Sequence, residues 1–173
     1  IRYADDFVIL CRTHEDADRA LAVVQQWTAQ AGLTLHPDKT HIVEATEGAF
    51  DFLGYTFSCG YRYPREKSLR KLKDIIRRKT KRRNGDSLQV TIAQLNPTLR
   101  GWFEYFKHSQ PRTFEPIDGW IRMRLRTILR RRHKRKGRGV GWDHFRWKNA
   151  YFAERGLYSL QQAHVSACQP SSR

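Results

Sequence analysis

The chain has 173 residues, with 33 Lys and Arg against 17 Asp and Glu and a formal charge of +16 at pH 7. It is 39% apolar and 12% aromatic, enough to bury a core, yet no uncharged apolar run approaches the roughly 18 residues of a membrane span, and the opening Ile1-Arg2-Tyr3-Ala4-Asp5-Asp6 lacks the pattern of a secretory signal. Cys11, Cys59 and Cys168 are too few and too scattered for a disulfide framework or a CxxC zinc site, which predicts a reducing, cytoplasmic setting with no membrane partner. The absence of an initiating Met and the strand-like opening predict a chain that begins inside a longer protein.

Charge is unevenly placed. Residues 1–60 hold four Lys and Arg against nine Asp and Glu, a net −5, which leaves +21 on the remainder. An acidic stretch with paired carboxylates ahead of a strongly basic one points to a metal-dependent enzyme acting on a polyanion, with nucleic acid the leading partner.

In chain order, residues 1–11 read as a hairpin with an acidic turn at Asp5-Asp6 and a second strand buried on both faces. Ala17, Ala20, Leu21, Val24, Trp27 and Ala31 form a helical stripe over residues 15–31, opened by a Thr13/Asp16 capping box, stopped by Gly32 and expected to pack on a sheet. Residues 33–35 and 40–43 read as strands around a His36-Pro37-Asp38 turn, and residues 50–58 pair with 61–63 across Cys59-Gly60. After Pro64 the pattern turns helical. Leu69, Leu72, Ile75 and Ile76 mark one face of a helix ending near Asn84-Gly85, with Arg70, Lys71, Lys73, Arg77, Arg78 and Lys79 on its other faces. A second helix is predicted from Pro97, with Leu99, Trp102, Phe103 and Phe106 inward. A third runs from Pro116, with Ile117, Trp120, Ile121, Leu125, Ile128 and Leu129 inward and Arg122, Arg126, Arg130 and His133 as an outward stripe. A mobile basic loop over residues 135–141, a last helix over 142–155 and a disordered tail over 166–173 complete the expectation.

Two successive strand residues point to opposite faces, so neighbouring carboxylates serve one site only at a turn, where Asp5 and Asp6 are expected. Hard cations take oxygen ligands, and carboxylates that set two ions about 4 Å apart stabilise both the attacking and the leaving oxygen of a phosphoryl transfer. By itself, an Asp-Asp pair is more often an ordinary solvated turn than a metal site.

The flanking residues narrow the choice. Tyr3-Ala4-Asp5-Asp6 followed by Phe7-Val8-Ile9 resembles the catalytic hairpin of reverse transcriptases. Gly32-Leu33-Thr34-Leu35-His36-Pro37-Asp38-Lys39-Thr40 is similar to the following block of retroelement polymerases, with His36 where Asn is commoner, and Phe52-Leu53-Gly54-Tyr55 to the next. Leu95-Asn96-Pro97-Thr98-Leu99-Arg100-Gly101-Trp102-Phe103-Glu104-Tyr105-Phe106 resembles the maturase-specific thumb of group II intron reverse transcriptases. The resemblance implies an α+β fold: the later part of a right-hand polymerase palm over residues 1–63, built of antiparallel strands with a packed helix, then an all-α helical thumb, domain X, over 64–165. It implies an RNA-directed DNA polymerase of a group II intron whose thumb binds intron RNA to assist splicing and retromobility, with RNA template, DNA primer and dNTPs as further partners and Mg²⁺ as cofactor. Asp5 and Asp6 are implied as the catalytic, metal-holding carboxylates, Tyr3 and Ala4 as neighbours of the primer end, and Lys39 as a palm lysine near the phosphates. Leu53 and Gly54 would belong to the hairpin that grips the primer, although Gly54 is equally an ordinary hairpin glycine. The family also uses an Asp from an earlier palm strand and fingers that hold the nucleotide. Neither is found before Ile1, so this segment alone is expected not to polymerise, and a non-catalytic RNA-binding maturase remnant is the alternative.

For the basic helices, +21 on the later residues exceeds what solubility needs. Arg70, Lys71, Lys73, Arg77 and Arg78, together with Arg122, Arg126 and Arg130 at four-residue spacing, are the expected RNA contacts. Trp102, Phe103, Phe106, Trp120, Trp142, Phe145, Trp147 and Tyr151 are assigned mostly to the core, with base stacking as the other use of such rings.

Overall fold

The structure, a computed structural model, describes residues 1–81, 85–138 and 141–168. It divides into two compact units, Ile1–Arg62 and Tyr63–Arg173.

In the first unit, β1 (Arg2–Tyr3) pairs antiparallel with β2 (Asp6–Phe7), Arg2 opposite Phe7 and Tyr3 opposite Asp6. The Ile1 and Val8 backbones exchange two bonds of 2.8 Å below the ribbon. The second strand is shorter than the apolar run suggests. Ile9 and Leu10 are exposed instead of buried on both faces, because a two-stranded ribbon offers no sheet to cover them. Helix α1 (His14–Gln30) starts where Thr13 Oγ1 accepts the Asp16 N–H at 3.1 Å; the Asp16 carboxylate turns to Arg19 (2.5 Å), so half of the capping box forms. Its end is a Schellman motif: Leu33 N–H donates to Thr28 O and Gly32 N–H to Ala29 O, with Gly32 at φ +68°.

The stripe of α1 is only half covered, with Leu21 and Val24 half-buried and Trp27 exposed. Residues 33–35 and 40–43 are not strands. They have no ladder partner among the described residues, and the His36-Pro37-Asp38 turn between them is held by Lys39 and Thr40 N–H groups donating to His36 O. Residues 50–58 are likewise not one strand but a hairpin, β3 (Ala49–Phe52) and β4 (Tyr55–Ser58), turning at Leu53-Gly54. Both turn residues have positive φ, 47° and 78°, the type I′ geometry whose twist matches a two-residue hairpin. Phe50 stacks on Phe57 across the pair at 5.1 Å, and β5 (Tyr61–Pro64) completes the order β3-β4-β5.

The second unit holds the core. Helix α2 (Glu66–Lys79) buries Leu72 and Ile76, and Lys79 is the last helical residue; the Asn84 of the expected turn lies outside the described residues. Helix α3 (Leu88–Phe106) starts nine residues before the expected Pro97. Ser87 Oγ caps it by accepting the Val90 N–H, and the buried series Leu88, Ile92, Leu95, Leu99, Phe103, Phe106 keeps a 3.6-residue period straight through Pro97. A 3₁₀ turn (Pro111–Thr113) leads into α4 (Phe114–Arg132), which buries Phe114, Ile117, Ile121, Leu125, Ile128 and Leu129. The expected final helix is instead two short ones, α5 (Trp142–Arg146) and α6 (Asn149–Ala153), followed by α7 (Leu160–Cys168). Helix α7 takes in residues 166–168 of the expected tail, while 169–173, like Gly139 and Val140 of the basic loop, lie outside the described residues.

Polar side chains fasten these helices across long stretches of sequence. Buried Asp118 of α4 accepts the Leu160 and Gln161 N–H groups (3.1 Å each) and the Ser159 hydroxyl (2.7 Å), so a carboxylate from another helix caps α7. Asn96 of α3 donates to Gly156 O at 2.8 Å and accepts the Tyr158 N–H at 2.9 Å. Arg124 of α4 donates to Thr80 Oγ1 (2.6 Å) and Thr80 O (3.2 Å), placing a cation on the orphan carbonyls at the end of α2.

Candidate nucleic-acid interface

The acidic turn forms as the hairpin requires. Ala4 takes φ +53° at the first central position, Asp5 follows, and Asp6 opens β2 opposite Tyr3. Arg2 Nε donates to Ala4 O at 2.8 Å, tying the turn to its own strand. Both carboxylates are exposed, and among the described residues neither enters a hydrogen bond or an ion pair through its side chain. They supply the hard oxygen donors that a divalent cation takes. No cluster of three or more His, Cys, Asp or Glu exists among the described residues, so the pair fits as part of a ligand set and not as a whole one. Lys39 stands exposed in the 36–40 turn, and Leu53 and Gly54 are half-buried at the β3-β4 tip. The acidic pair, the lysine and the hairpin tip thus occupy three separate turns of the first unit.

On α2 the expected basic face is present and divided. Arg70 pairs with Glu66 at 2.5 Å and Arg77 with Asp74 at 2.6 Å, exposed neighbours on the same helix whose ion pairs contribute little to stability. Lys71 and Arg78 are exposed, while Lys73 is half-buried.

The outward stripe of α4 is a correction. Arg126 is 2% exposed: its Nε donates to Trp147 O at 2.9 Å, its Nη2 to Asn149 Oδ1 at 2.8 Å, and its guanidinium lies 5.2 Å from the Phe152 ring centroid. Burial, with help from Arg122, lowers its pKa from the usual arginine value, and Asp143 opposes that shift. Arg130 reaches Asp143 at 2.6 Å, and that carboxylate is 1% exposed, with Oδ1 lacking a hydrogen-bond partner among the described residues. Arg122 is half-exposed. A four-residue spacing puts arginines on one side of a helix but does not say whether that side meets solvent. Here it meets α5, α6 and the link between them: Trp147 O and Asn149 Oδ1 accept from Arg126, and Asp143 from Arg130.

Sequence reasoning misses two features. Arg124 does not stand out among its neighbours, although Thr80 at the end of a basic helix is a place where a cation is useful. The run Arg131, Arg132, Lys134, Arg135, Lys136, Arg138 is exposed throughout; sequence reasoning marks its later part as a basic loop but does not count the run among the RNA contacts, which its density of charge would have suggested. His164 is buried, its ring centroid 5.0 Å from that of Phe114.

Comparison with known families gives two matches. Residues 1–57 match the family "Reverse transcriptase (RNA-dependent DNA polymerase)", and residues 69–151 match "Group II intron, maturase-specific domain". Among curated proteins none matches the chain.

Proposed function

The chain belongs to the group II intron reverse transcriptase/maturases, and from that premise we propose that its helical unit holds intron RNA through exposed cations while its acidic turn contributes to a polymerase metal site. The observation that carries the RNA reading is the separation of charges by burial. Arg126, Arg130 and Arg124 are consumed in fastening helices, whereas Lys71 and Arg78 of α2 and the run from Arg131 to Arg138, apart from Arg132, which donates to Asp86 O, face solvent without a matching set of acids. Such a surface suits a phosphate backbone, and it positions the RNA without reading its sequence.

For the turn, Asp5 and Asp6 are proposed as two of the ligands of Mg²⁺, with Tyr3 and Ala4 beside the primer end, Lys39 toward phosphates, and the Leu53-Gly54 tip against the primer. A bound divalent cation would stabilise charge on the oxygens exchanged in nucleotidyl transfer. The chain's own part is to hold two carboxylates on a tight turn whose small Ala4 leaves room for a nucleic-acid backbone.

Affinity for a structured intron RNA, followed against salt, tests the first half. Log K is expected to fall linearly with log salt, and Lys71→Gln with Arg78→Gln to make the slope shallower by about one unit for each phosphate left without its cation. An unchanged slope removes this face of α2 from the interface. For the second half, Mn²⁺ should broaden the NMR signals of the residue 3–6 turn in the wild-type chain and not in Asp5→Asn. Equal broadening in both would reduce Asp5 to a solvated turn residue.

A further inference from the structure

Of the eight aromatic side chains between Trp102 and Tyr151 assigned mostly to the core by periodicity, six are buried or half-buried, and two are not. Trp142 is 82% exposed and Phe145 71%, with ring centroids 5.7 Å apart and planes inclined at 54°. Both lie on α5, a helix whose orientation is fixed from its other side. Asp143 points inward to Arg130 at 2.6 Å, and Trp147, directly after the helix, is buried and donates its backbone N–H to Asp143 O at 2.9 Å. The anchored Asp143 and Trp147 therefore hold Trp142 and Phe145 outward. Two large rings left in water forgo burial that each could have had, a cost the fold gains nothing from.

The charge around them identifies the occupant. From Arg130 to Lys148 the sequence holds nine Lys and Arg against a single acid, Asp143, and that carboxylate is buried against Arg130. The segment that carries the rings is thus strongly cationic, with no exposed carboxylate among its described residues. We propose that Trp142 and Phe145 are a stacking platform for unpaired bases of an RNA strand whose phosphates follow the neighbouring arginines and lysines. This rests on the RNA-binding reading above and adds the class of RNA. A-form duplex hides the faces of its bases, so exposed rings beside a cationic track serve looped or single-stranded segments. A lipid surface is disfavoured because α5 spans only Trp142–Arg146 and its other exposed side chains are His144 and Arg146, so it lacks an apolar stripe able to insert.

The test uses the whole chain with two probes, a 12-nucleotide oligoadenylate and a blunt 12-base-pair RNA duplex. Trp142→Ala and Phe145→Ala are each expected to weaken oligoadenylate binding about tenfold, the scale of one base stack, while changing duplex affinity less than twofold. The salt slope should not move, since stacking releases no counterions, and Trp142→Tyr should recover most of the loss. Both positions are exposed, so urea midpoints matching the wild type will show that the fold is intact. Unchanged oligoadenylate affinity, or an equal loss on both RNAs, overturns the platform. So does a Trp142→Ala protein that turns from dimer to monomer, or releases anionic vesicles, without a change on oligoadenylate. If the wild-type chain binds neither RNA, the RNA-binding reading itself has failed; if it binds both and the ring variants behave like wild type, only the platform has.

Discussion

Arg126 and Arg78 are the same residue type on basic helices, and the structure gives them opposite work. Arg126 commits its donors to Trp147 O and Asn149 Oδ1 inside the helical unit, while Arg78 stands in solvent. Arg130 joins the first group through Asp143. Arg130→Ala would leave a buried carboxylate without its cation, and breaking such a pair from one side costs about 3–5 kcal/mol. Urea unfolding of Arg130→Ala should therefore show a large fall in midpoint, whereas Arg78→Gln should stay within about 0.5 kcal/mol of wild type. A mild Arg130→Ala would mean that water already reaches Asp143 and that the α4–α5 seam is held by Trp147 packing alone. The aromatic residues divide in the same way, Trp147 buried and Trp142 exposed five positions earlier.

Among the elements, α3 shows how a tertiary stripe overrides a local signal. Proline inside a helix removes one hydrogen bond and crowds the carbonyl four residues back, at a cost of about 3 kcal/mol. Helix α3 carries that cost because Leu88, Ile92 and Leu95 before Pro97 and Leu99, Phe103 and Phe106 after it belong to one buried face. Ala93, whose carbonyl lacks the proline's N–H, lies on the exposed side where water can reach it. Pro97→Ala restores that donor in a backbone already helical. It should raise stability by about 1–3 kcal/mol in denaturant unfolding, less whatever the proline gained by restricting the unfolded chain. A destabilised Pro97→Ala would show that the ring makes contacts worth more than the missing bond. The end of α1 is the opposite case, where local chemistry suffices: Gly32 closes the Schellman motif with bonds that span only a few residues.

At the scale of the molecule, the two units differ in what they bury. Apart from Pro64, every buried apolar side chain in the described residues lies at Leu72 or beyond, and the cluster running from Leu72 to Leu160 draws on α2, α3, α4, α6 and α7. The first unit leaves Ile9, Leu10, Val23, Trp27 and Leu33 exposed. Opening free energies follow buried apolar contact, so amide hydrogens of residues 1–62 should exchange well before those of α3 and α4, whose protection should approach the global limit. Mass-spectrometric exchange on the intact chain measures this. Comparable protection in α1 and α4 would require a burial of α1 that the structure does not show. No helix among the described residues is long and apolar enough to cross a membrane.

The sequence alone was sufficient wherever a few adjacent residues carry the physics: the Thr13 cap, the Gly32 stop, the acidic turn after Tyr3, and the family blocks around Asp5-Asp6 and Asn96-Pro97. It also located the basic charge, because net charge is a property of composition. It did not separate arginines that hold helices together from those open to a polyanion, and it did not separate core aromatics from exposed ones. Periodicity assigns a residue to a face of its own helix, and the use of that face depends on what packs there from far along the chain. Trp147 and Asn149 come back to Arg126, Asp143 to Arg130, and Leu160 to Asp118. Only the tertiary structure brings those partners within a hydrogen bond, so only it decided which charges and which rings stay exposed.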